Sequence, residues 1–240
     1  DTGPCECEGA QHGARIGESL LMKHNPSDRT ARLAQSDIRA MTLACAKVNG
    51  INMSQGVCDT PVPPVVIQAA KAAMDRGHNI YSRFDGISEL RQAIASKLAS
   101  YNRIAADPET NITISAGATG SFQATCMALL NPGDEVILHE PSYVSYVPAI
   151  VFAGGVVRQV PTRFEDDFAL DPAAVEAAIT PRTKALFLGY PANPTGAVLD
   201  DDVQDELARI ARDHDLLVYS DEIYDRLAYG TYRHRAFSSL

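Results

Sequence analysis

The hydrophobic positions of the chain alternate between helical spacing and short apolar runs from about residue 64 onward. Apolar residues three and four positions apart predict helices, and these stretches cover 37–48, 64–76, 87–101, 119–130, 172–179 and 200–213. Short β-branched runs predict strands at 112–114, 136–138, 156–160, 185–188 and 216–219. The predicted strands show no in/out alternation, which is typical of a parallel sheet covered on both faces.

This alternation predicts an α/β fold in layers, with helices on both faces of a mainly parallel sheet. The turn residues agree, because Asn131-Pro-Gly-Asp134 precedes one strand and Asp171-Pro172 places a proline at the first position of a helix. Residues 1–30 are polar and have little periodicity, which predicts an arm. We expect an N-terminal arm and small-domain segment over residues 1–60 and a large domain over residues 61–240.

Composition and charge argue against several classes of protein. The 240 residues include 21 basic and 30 acidic side chains, a net charge of −9, so the chain lacks the basic field that binds nucleic acid. No apolar run approaches the length of a membrane span. The five cysteines are odd in number and contain no Cys-x-x-Cys pair, and the six histidines show no metal spacing. We therefore expect no disulfide framework and no metal site, and a reducing cytoplasm fits best.

Side chains that can bind a ligand follow the predicted strands directly. In open parallel sheets, ligands bind outside the carboxyl ends of the strands. Residues 115–119 are small and lead straight into a helix, whose free N–H groups and dipole can bind a phosphate with the Thr119 hydroxyl as a further donor. An ordinary tight turn would use Gly117 in the same way. Tyr143 follows the next strand and could stack on a flat ring or pack as a rim residue.

Two further polar residues follow the later strands. Asn193 precedes Pro194 in a proline-rich turn that can hold its amide at a fixed aim, although asparagine is also a common turn former. Asp221 follows an apolar run, where an ionised carboxylate is costly unless it meets a cation, although it could also cap a helix. Together with the phenol of Tyr224, these groups describe a site for a planar, phosphorylated ring with a protonated nitrogen.

The motifs at these positions resemble those of the class I/II aminotransferases, which are fold-type I pyridoxal-phosphate enzymes. The resemblance runs in the family's order from about residue 51 to residue 237. It implies a three-layer αβα large domain with a mainly parallel sheet, pyridoxal 5'-phosphate as cofactor, and transfer of an amino group from an L-amino acid to a 2-oxo acid. The motifs are Asn193-Pro-Thr-Gly196, Ser220-Asp-Glu-Ile-Tyr224, Asn131-Pro-Gly-Asp-Glu-Val136, Pro141-Ser-Tyr143 and Tyr81-x-x-x-x-Gly86-x-x-x-Leu90-Arg91.

The resemblance assigns the catalytic roles to three residues. It implies that Asp221 pairs with the protonated pyridine nitrogen and keeps the ring an electron sink. Asn193 and Tyr224 are implied to flank the phenolic oxygen of the ring, and Asn193 also to contact the substrate. Tyr143 is implied to stack on the face of the ring. These four residues therefore form the expected catalytic and ring-binding set.

The remaining assignments concern the phosphate, the substrate and a second subunit. The resemblance implies that Ala118 and Thr119 bind the phosphate at the helix N-terminus. The resemblance also implies that the backbone amide of Gly56 meets the substrate carboxylate. Tyr81 is implied to reach the phosphate of the neighbouring subunit's cofactor, so the resemblance predicts a homodimer with shared active sites.

One family feature falls outside the sequence. The family has a lysine that forms a Schiff base with the cofactor, roughly thirty residues past the aspartate. Only 19 residues follow Asp221, and every lysine precedes it. We expect an N-terminal fragment that ends before this lysine, lacks the C-terminal small domain and is inactive alone. The lysines present are Lys23, Lys47, Lys71, Lys97 and Lys184.

Three other interpretations stay open at this point. Carbon–sulfur β-lyases share the fold and would share Asp221, Asn193 and Tyr224. The chain could instead be a catalytically inactive homologue with a binding or regulatory role. An unrelated phosphate-binding α/β domain would explain residues 115–119 and none of the other motifs. His139 could line the site or be structural, and the residues do not choose the amino-acid donor.

Overall fold

Four parallel strands form the centre of the fold in this computed structural model, which describes residues 27–32, 36–56 and 58–240. The strand order is β2-β1-β3-β4, and every pairing is parallel. The parallel sheet predicted from the sequence is therefore confirmed. The strands are β1 (Glu135–Glu140), β2 (Val156–Pro161), β3 (Thr183–Gly189) and β4 (Leu217–Asp221).

Helices precede and connect the strands. At the start of α6 the Asp171 carboxylate accepts a hydrogen bond from the Ala173 N–H at 2.9 Å, and Pro172 occupies the first turn as predicted. A π-helical turn, Leu98–Asn102, extends α3. The α-helices are α1 (Asp37–Lys47), α2 (Pro64–Asp75), α3 (Ser88–Lys97), α4 (Gly117–Leu129), α5 (Tyr146–Phe152), α6 (Pro172–Ala177) and α7 (Asp201–Asp213), and 3-10 turns lie at Asp28–Arg32, Phe164–Asp166 and Phe237–Ser239.

The core lies on both faces of the sheet because successive strand side chains point to opposite sides. Val136 and Leu138 pack with α4 and α5 on one face, whereas Ile137 packs with α6 and α7 on the other. Each of these side chains is fully buried, and such burial is worth about 1.5–3 kcal/mol per residue. The three-layer αβα architecture implied by the resemblance is thus confirmed.

Two local predictions differ from the structure. The predicted strand at 112–114 is wrong, because no strand lies beside it in the described residues and Ile114 donates its N–H to the Asp85 carbonyl instead. The sequence pattern also missed helix α5, which is short and rich in β-branched residues. Burial of Tyr146, Ala149 and Ile150 along one helical face stabilises it against that propensity.

The N-terminal part carries much exposed apolar surface. Helices α1 and α2 have no buried residue within the described ranges. Across the residues that the structure describes, no helix is both long and apolar enough to cross a bilayer. The domain boundary near residue 60 stays a prediction, and residues 1–26 of the predicted arm lie outside the described residues.

Candidate active site

The crevice between β1 and β3 is where the strand order reverses. β1 continues through α5 to β2 on one side, and β3 continues through α7 to β4 on the other. Ligands of open α/β sheets bind at such a point, outside the carboxyl ends of the strands. Tyr143 follows β1, Asn193 follows β3, and Asp221 is the last residue of β4 rather than the first beyond it. The topology therefore brings all three to one edge.

A cavity of about 230 Å³ opens at this edge. The start of α4 forms one wall, and the segments that follow β1, β3 and β4 form the others. Tyr146 and Ile223 complete the lining beside residues from the predicted set. The cavity brings together six of the eight predicted site residues, namely Ala118, Thr119, Tyr143, Asn193, Asp221 and Tyr224.

The first turn of α4 presents backbone donors to the cavity. The first N–H groups of any α-helix lack intrahelical partners, and the helix dipole makes that end electropositive. Gly117 begins the helix with φ +75°, a left-handed conformation that glycine adopts without a Cβ penalty. The Ser115 hydroxyl donates to the Gly117 carbonyl at 3.0 Å and fixes the turn. Ala118 and Thr119 follow, both exposed, so this wall can bind an anion.

Each carboxylate oxygen of Asp221 accepts one hydrogen bond. Its Oδ1 accepts from the Ile223 N–H at 3.1 Å, and its Oδ2 accepts from the Tyr146 hydroxyl at 2.9 Å. Within the described ranges no cation pairs with this carboxylate. The carboxylate is therefore fixed in orientation and free to meet a cationic group of a ligand.

Tyr146 is the site residue that the sequence analysis missed. Burial raises the pKa of its phenol far above the usual value, and the charge of Asp221 raises it further, so the hydroxyl stays a donor. A Cβ added to Gly189 would lie 3.0 Å from the Tyr146 hydroxyl oxygen, so glycine makes room for this contact. Helical spacing gave no signal for Tyr146, because Tyr143 lies in the preceding loop and Tyr146 is the first residue of the unpredicted helix α5.

Asn193 and Tyr224 meet across the cavity. The Asn193 amide donates to the Tyr224 hydroxyl at 3.3 Å. The Asn193 turn is closed by backbone bonds of 2.8 Å from the Ala192 N–H to the Ala197 carbonyl and from the Gly196 N–H to the Ala192 carbonyl. The side-chain amide therefore projects from a rigid turn, as the sequence predicted.

The other two predicted site residues lie outside this cavity. Gly56 lines two adjoining cavities, of about 520 and 680 Å³, and Asn193 lines both of them as well. Tyr81 is fully exposed and lines none of these three cavities. Gly56 is thus adjacent to the site, and the role predicted for Tyr81 concerns a second subunit.

The described lysines lie away from the cavity. Lys97 pairs with Asp225, and Lys184 pairs with Asp134 at 3.0 Å, beside the amino end of β1. Lys47 and Lys71 lie on α1 and α2 and do not line the cavity, and Lys23 lies outside the described residues. Within the described ranges no amine therefore reaches the position of a covalent nucleophile.

His139 lies in β1 and does not line the cavity. Only 3% of its surface is exposed. Burial lowers its pKa to about 4, although the hydrogen bond between Nδ1 and the Pro141 carbonyl opposes the shift. The imidazole is therefore neutral in the folded protein at neutral pH.

This neutral histidine predicts a pH-dependent stability. A histidine in an unfolded chain titrates near 6.5. Since the folded pKa is lower, the contribution of His139 is complete above about pH 6.5 and is lost as the pH falls towards 4. Across that window we expect the free energy of unfolding of the unmutated chain to fall by about 3 kcal/mol more than that of His139→Gln. Urea unfolding at both pH values measures this difference, and the exposed His78→Gln variant should behave like the unmutated chain.

Comparison with known proteins identifies the family. The family model "Aminotransferase class I and II" matches residues 48–239. An aspartate aminotransferase of Pyrococcus abyssi is 38% identical over 215 residues, which cover 89% of this chain and 55% of that protein. An aspartate/prephenate aminotransferase of Thermus thermophilus is 42% identical over 191 residues, which cover 80% of this chain and 49% of that protein. The chain belongs to the class I and II aminotransferase family, so the resemblance is confirmed.

Solved structures give the same result. The Thermus thermophilus aspartate aminotransferase with maleate is 37% identical with a TM-score of 0.85, and the match covers 90% of this chain and 58% of that chain. The N-succinyldiaminopimelate aminotransferase of Mycobacterium tuberculosis is 36% identical, also with a TM-score of 0.85. This match covers 89% of this chain and 56% of that chain. The chain spans about half the length of the curated relatives that it matches.

Proposed function

We propose that this chain forms the cofactor-binding part of a pyridoxal-phosphate-dependent aminotransferase, which transfers an amino group from an L-amino acid to a 2-oxo acid. One observation carries the proposal. A single cavity joins the electropositive start of α4, the ring of Tyr143 and the oriented carboxylate of Asp221. Family membership and the names of the relatives support the same function.

The residues of the cavity fit pyridoxal phosphate group by group. The N–H groups at Ala118 and Thr119 suit the phosphate, and Tyr143 suits the flat ring. Asp221 suits the protonated ring nitrogen, because its carboxylate is free of cations in the described residues. When bound, pyridoxal phosphate supplies the electron sink that stabilises negative charge at the substrate Cα.

In this proposal the residues of the chain orient groups and hold protons. Asp221 holds a proton at the ring nitrogen, and Tyr146 fixes the aim of that carboxylate by donating to Oδ2. Asn193 and Tyr224, already 3.3 Å apart, donate to the phenolic oxygen. Gly56 offers its backbone amide to the substrate carboxylate from the adjoining cavity. The amine that attaches to the cofactor is not one of the described lysines, because these lie away from the cavity.

A binding and product assay tests the proposal. Pyridoxal phosphate titrated into the natural gene product that carries this chain should bind stoichiometrically and change the absorption of the cofactor. Amino transfer that depends on a 2-oxo acid should follow, whereas the 240-residue chain alone should bind cofactor without turnover. Release of pyruvate and ammonia from a cysteine-type substrate would assign the β-lyase reaction instead. Binding without either reaction would indicate a regulatory homologue, and absence of binding would reject the proposal.

Tyr146→Phe should weaken the site without unfolding it. The variant keeps the ring in the core and removes only the hydrogen bond to Asp221. Hydrogen bonds to charged groups contribute about 1.5–3 kcal/mol, so we expect kcat/KM for amino transfer to fall about ten- to a hundredfold. Steady-state kinetics measure the effect. Tyr219→Phe is the matched control, because Tyr219 packs in the same aromatic cluster and its hydroxyl has no hydrogen-bond partner in the described residues.

We also infer a homodimer with shared active sites, located in the cytoplasm. Tyr81 is fully exposed, as a residue that reaches a second subunit would be. Helix α2 exposes Val65, Val66 and Met74, and apolar helix surface of this kind favours burial against another chain. The free cysteines Cys45, Cys58 and Cys126 fit a reducing compartment. Sedimentation equilibrium of the natural gene product tests the dimer.

A further inference from the structure

His139 occupies the gap where β1 and β3 separate beneath the candidate active site. The pairing of the two strands ends at Leu138 and Phe187. The Tyr190 N–H bonds to β4, so the neighbouring Gly189 N–H faces β1, where it has no backbone acceptor among the described residues. The Gly189 N–H donates instead to His139 Nε2 at 3.4 Å. The imidazole therefore takes the place of the next backbone hydrogen bond between β1 and β3.

The second ring nitrogen ties the same side chain to the loop after β1. An N–H can only donate, so the contact with Gly189 makes Nε2 the acceptor and puts the proton on Nδ1. Nδ1 then donates to the Pro141 carbonyl at 3.0 Å. Both nitrogens are satisfied, and the ring packs on Tyr190 with centroids 4.6 Å apart. The ring is thus fixed in tautomer and in position.

The two bonded backbone groups begin the two loops that carry ligand-binding residues. Pro141 lies two residues before Tyr143, and Gly189 lies four residues before Asn193. We infer that His139 is a positioning residue that sets the distance between the Tyr143 loop and the Asn193 loop, and so the width of the cofactor site. This inference rests on the proposed function for the identity of the ligand. The link that His139 makes between the Pro141 carbonyl and the Gly189 N–H rests only on the contacts of His139.

Side-chain substitutions can separate the two bonds. Asparagine is long enough to keep a donor at the Pro141 carbonyl and too short to reach Gly189. Glutamine can place its carbonyl oxygen near the Nε2 position and accept from Gly189. Leucine removes both bonds and keeps an apolar side chain in the core. Val175→Ala is the control for general destabilisation, because Val175 is fully buried on α6 and lines none of the cavities of the site.

The first measurement is pyridoxal-phosphate affinity of the natural gene product after removal of its cofactor. We expect His139→Leu and His139→Asn to raise the dissociation constant at least about tenfold. The dissociation constant of His139→Gln should stay within about threefold of that of the unmutated protein. Val175→Ala should have the same dissociation constant as the unmutated protein despite a lower unfolding midpoint. Equal affinity in His139→Leu and the unmutated protein would overturn the inference, as would affinities that simply follow the unfolding midpoints.

The second measurement uses no cofactor. Hydrogen–deuterium exchange of the cofactor-free protein should be faster in His139→Leu at residues 141–146 and 189–193, and unchanged at residues 185–188 inside β3. If the unmutated protein does not bind pyridoxal phosphate, the proposed function fails. The exchange pattern still shows whether His139 links the two loops. If His139→Leu does not fold, the contrast between glutamine and asparagine decides it. Uniform exchange changes across the sheet in the asparagine variant would contradict the inference.

Discussion

Asp221→Asn is expected to lower kcat/KM for amino transfer by about a thousandfold in the natural gene product. The amide has the shape of the carboxylate and can still accept from Tyr146, but it carries no charge to hold a proton on a ring nitrogen. Removing one partner of a buried charge pair costs about 3–5 kcal/mol. Steady-state kinetics with saturating pyridoxal phosphate measure the loss. At saturation the loss reflects the missing charge and not incomplete binding of the cofactor.

The neighbouring carboxylate provides the control for this variant. Glu222 lies next in the sequence and its Oε2 is 2.8 Å from His234 Nε2, a contact that lies outside the cavity of the candidate site. Glu222→Gln removes the same charge from the same turn, so it should reduce stability and leave kcat/KM within a fewfold. Equal losses in both variants would show that Asp221 acts through local structure and not through a contact with the ring nitrogen.

Ala118→Asp is expected to weaken pyridoxal-phosphate binding by about a hundredfold while leaving the fold intact. A carboxylate in the first turn of α4 interacts favourably with the helix dipole, so the helix itself should be as stable or slightly more stable. The same charge repels a phosphate bound at those N–H groups. At a separation of about 5 Å and intermediate dielectric, this repulsion amounts to a few kcal/mol. Cofactor titration and thermal unfolding measure the two effects separately.

The neutral isostere Ala118→Asn tests whether charge or size matters. We expect it to weaken binding only a fewfold, because it adds the same atoms without the negative charge. A large loss in both variants would mean that any side chain at residue 118 blocks the cavity. Unchanged affinity in Ala118→Asp would place the phosphate elsewhere and would contradict the assignment of α4 as the anion-binding wall.

Much of this architecture was predictable because its elements are dictated by local patterns. Helix α7 and strand β3 were predicted within two residues of their observed ends, since one has a clear apolar face and the other a continuous apolar run. The placement of Asn193 and Asp221 at one edge was predictable because Asn193 follows β3, Asp221 ends β4, and the carboxyl ends of parallel strands share one edge. The family motifs then added chemical roles that spacing alone does not supply.

The rest depended on tertiary contacts that a local pattern does not contain. Residues 112–114 have strand-like composition, but a strand needs a neighbouring strand, and the described backbone that bonds to Ile114 is the turn at Asp85. Helix α5 forms because the core accepts one of its faces, against the preference of its β-branched residues. Tyr146 entered the site with that helix, so the missed helix and the missed residue have one cause.

The outer edge of β4 ends at Asp221, beside the candidate active site. Within the described ranges β4 pairs only with β3, and a cavity of about 250 Å³ lies between β4 and α4, lined by Phe122, Thr125 and Tyr219. An open strand edge is a template for β-strand addition. A strand that adds there runs next to Asp221, the last residue of β4, and carries its own side chains to the rim of the site. The segment that pairs with this edge therefore determines which side chains lie at the rim beside Asp221.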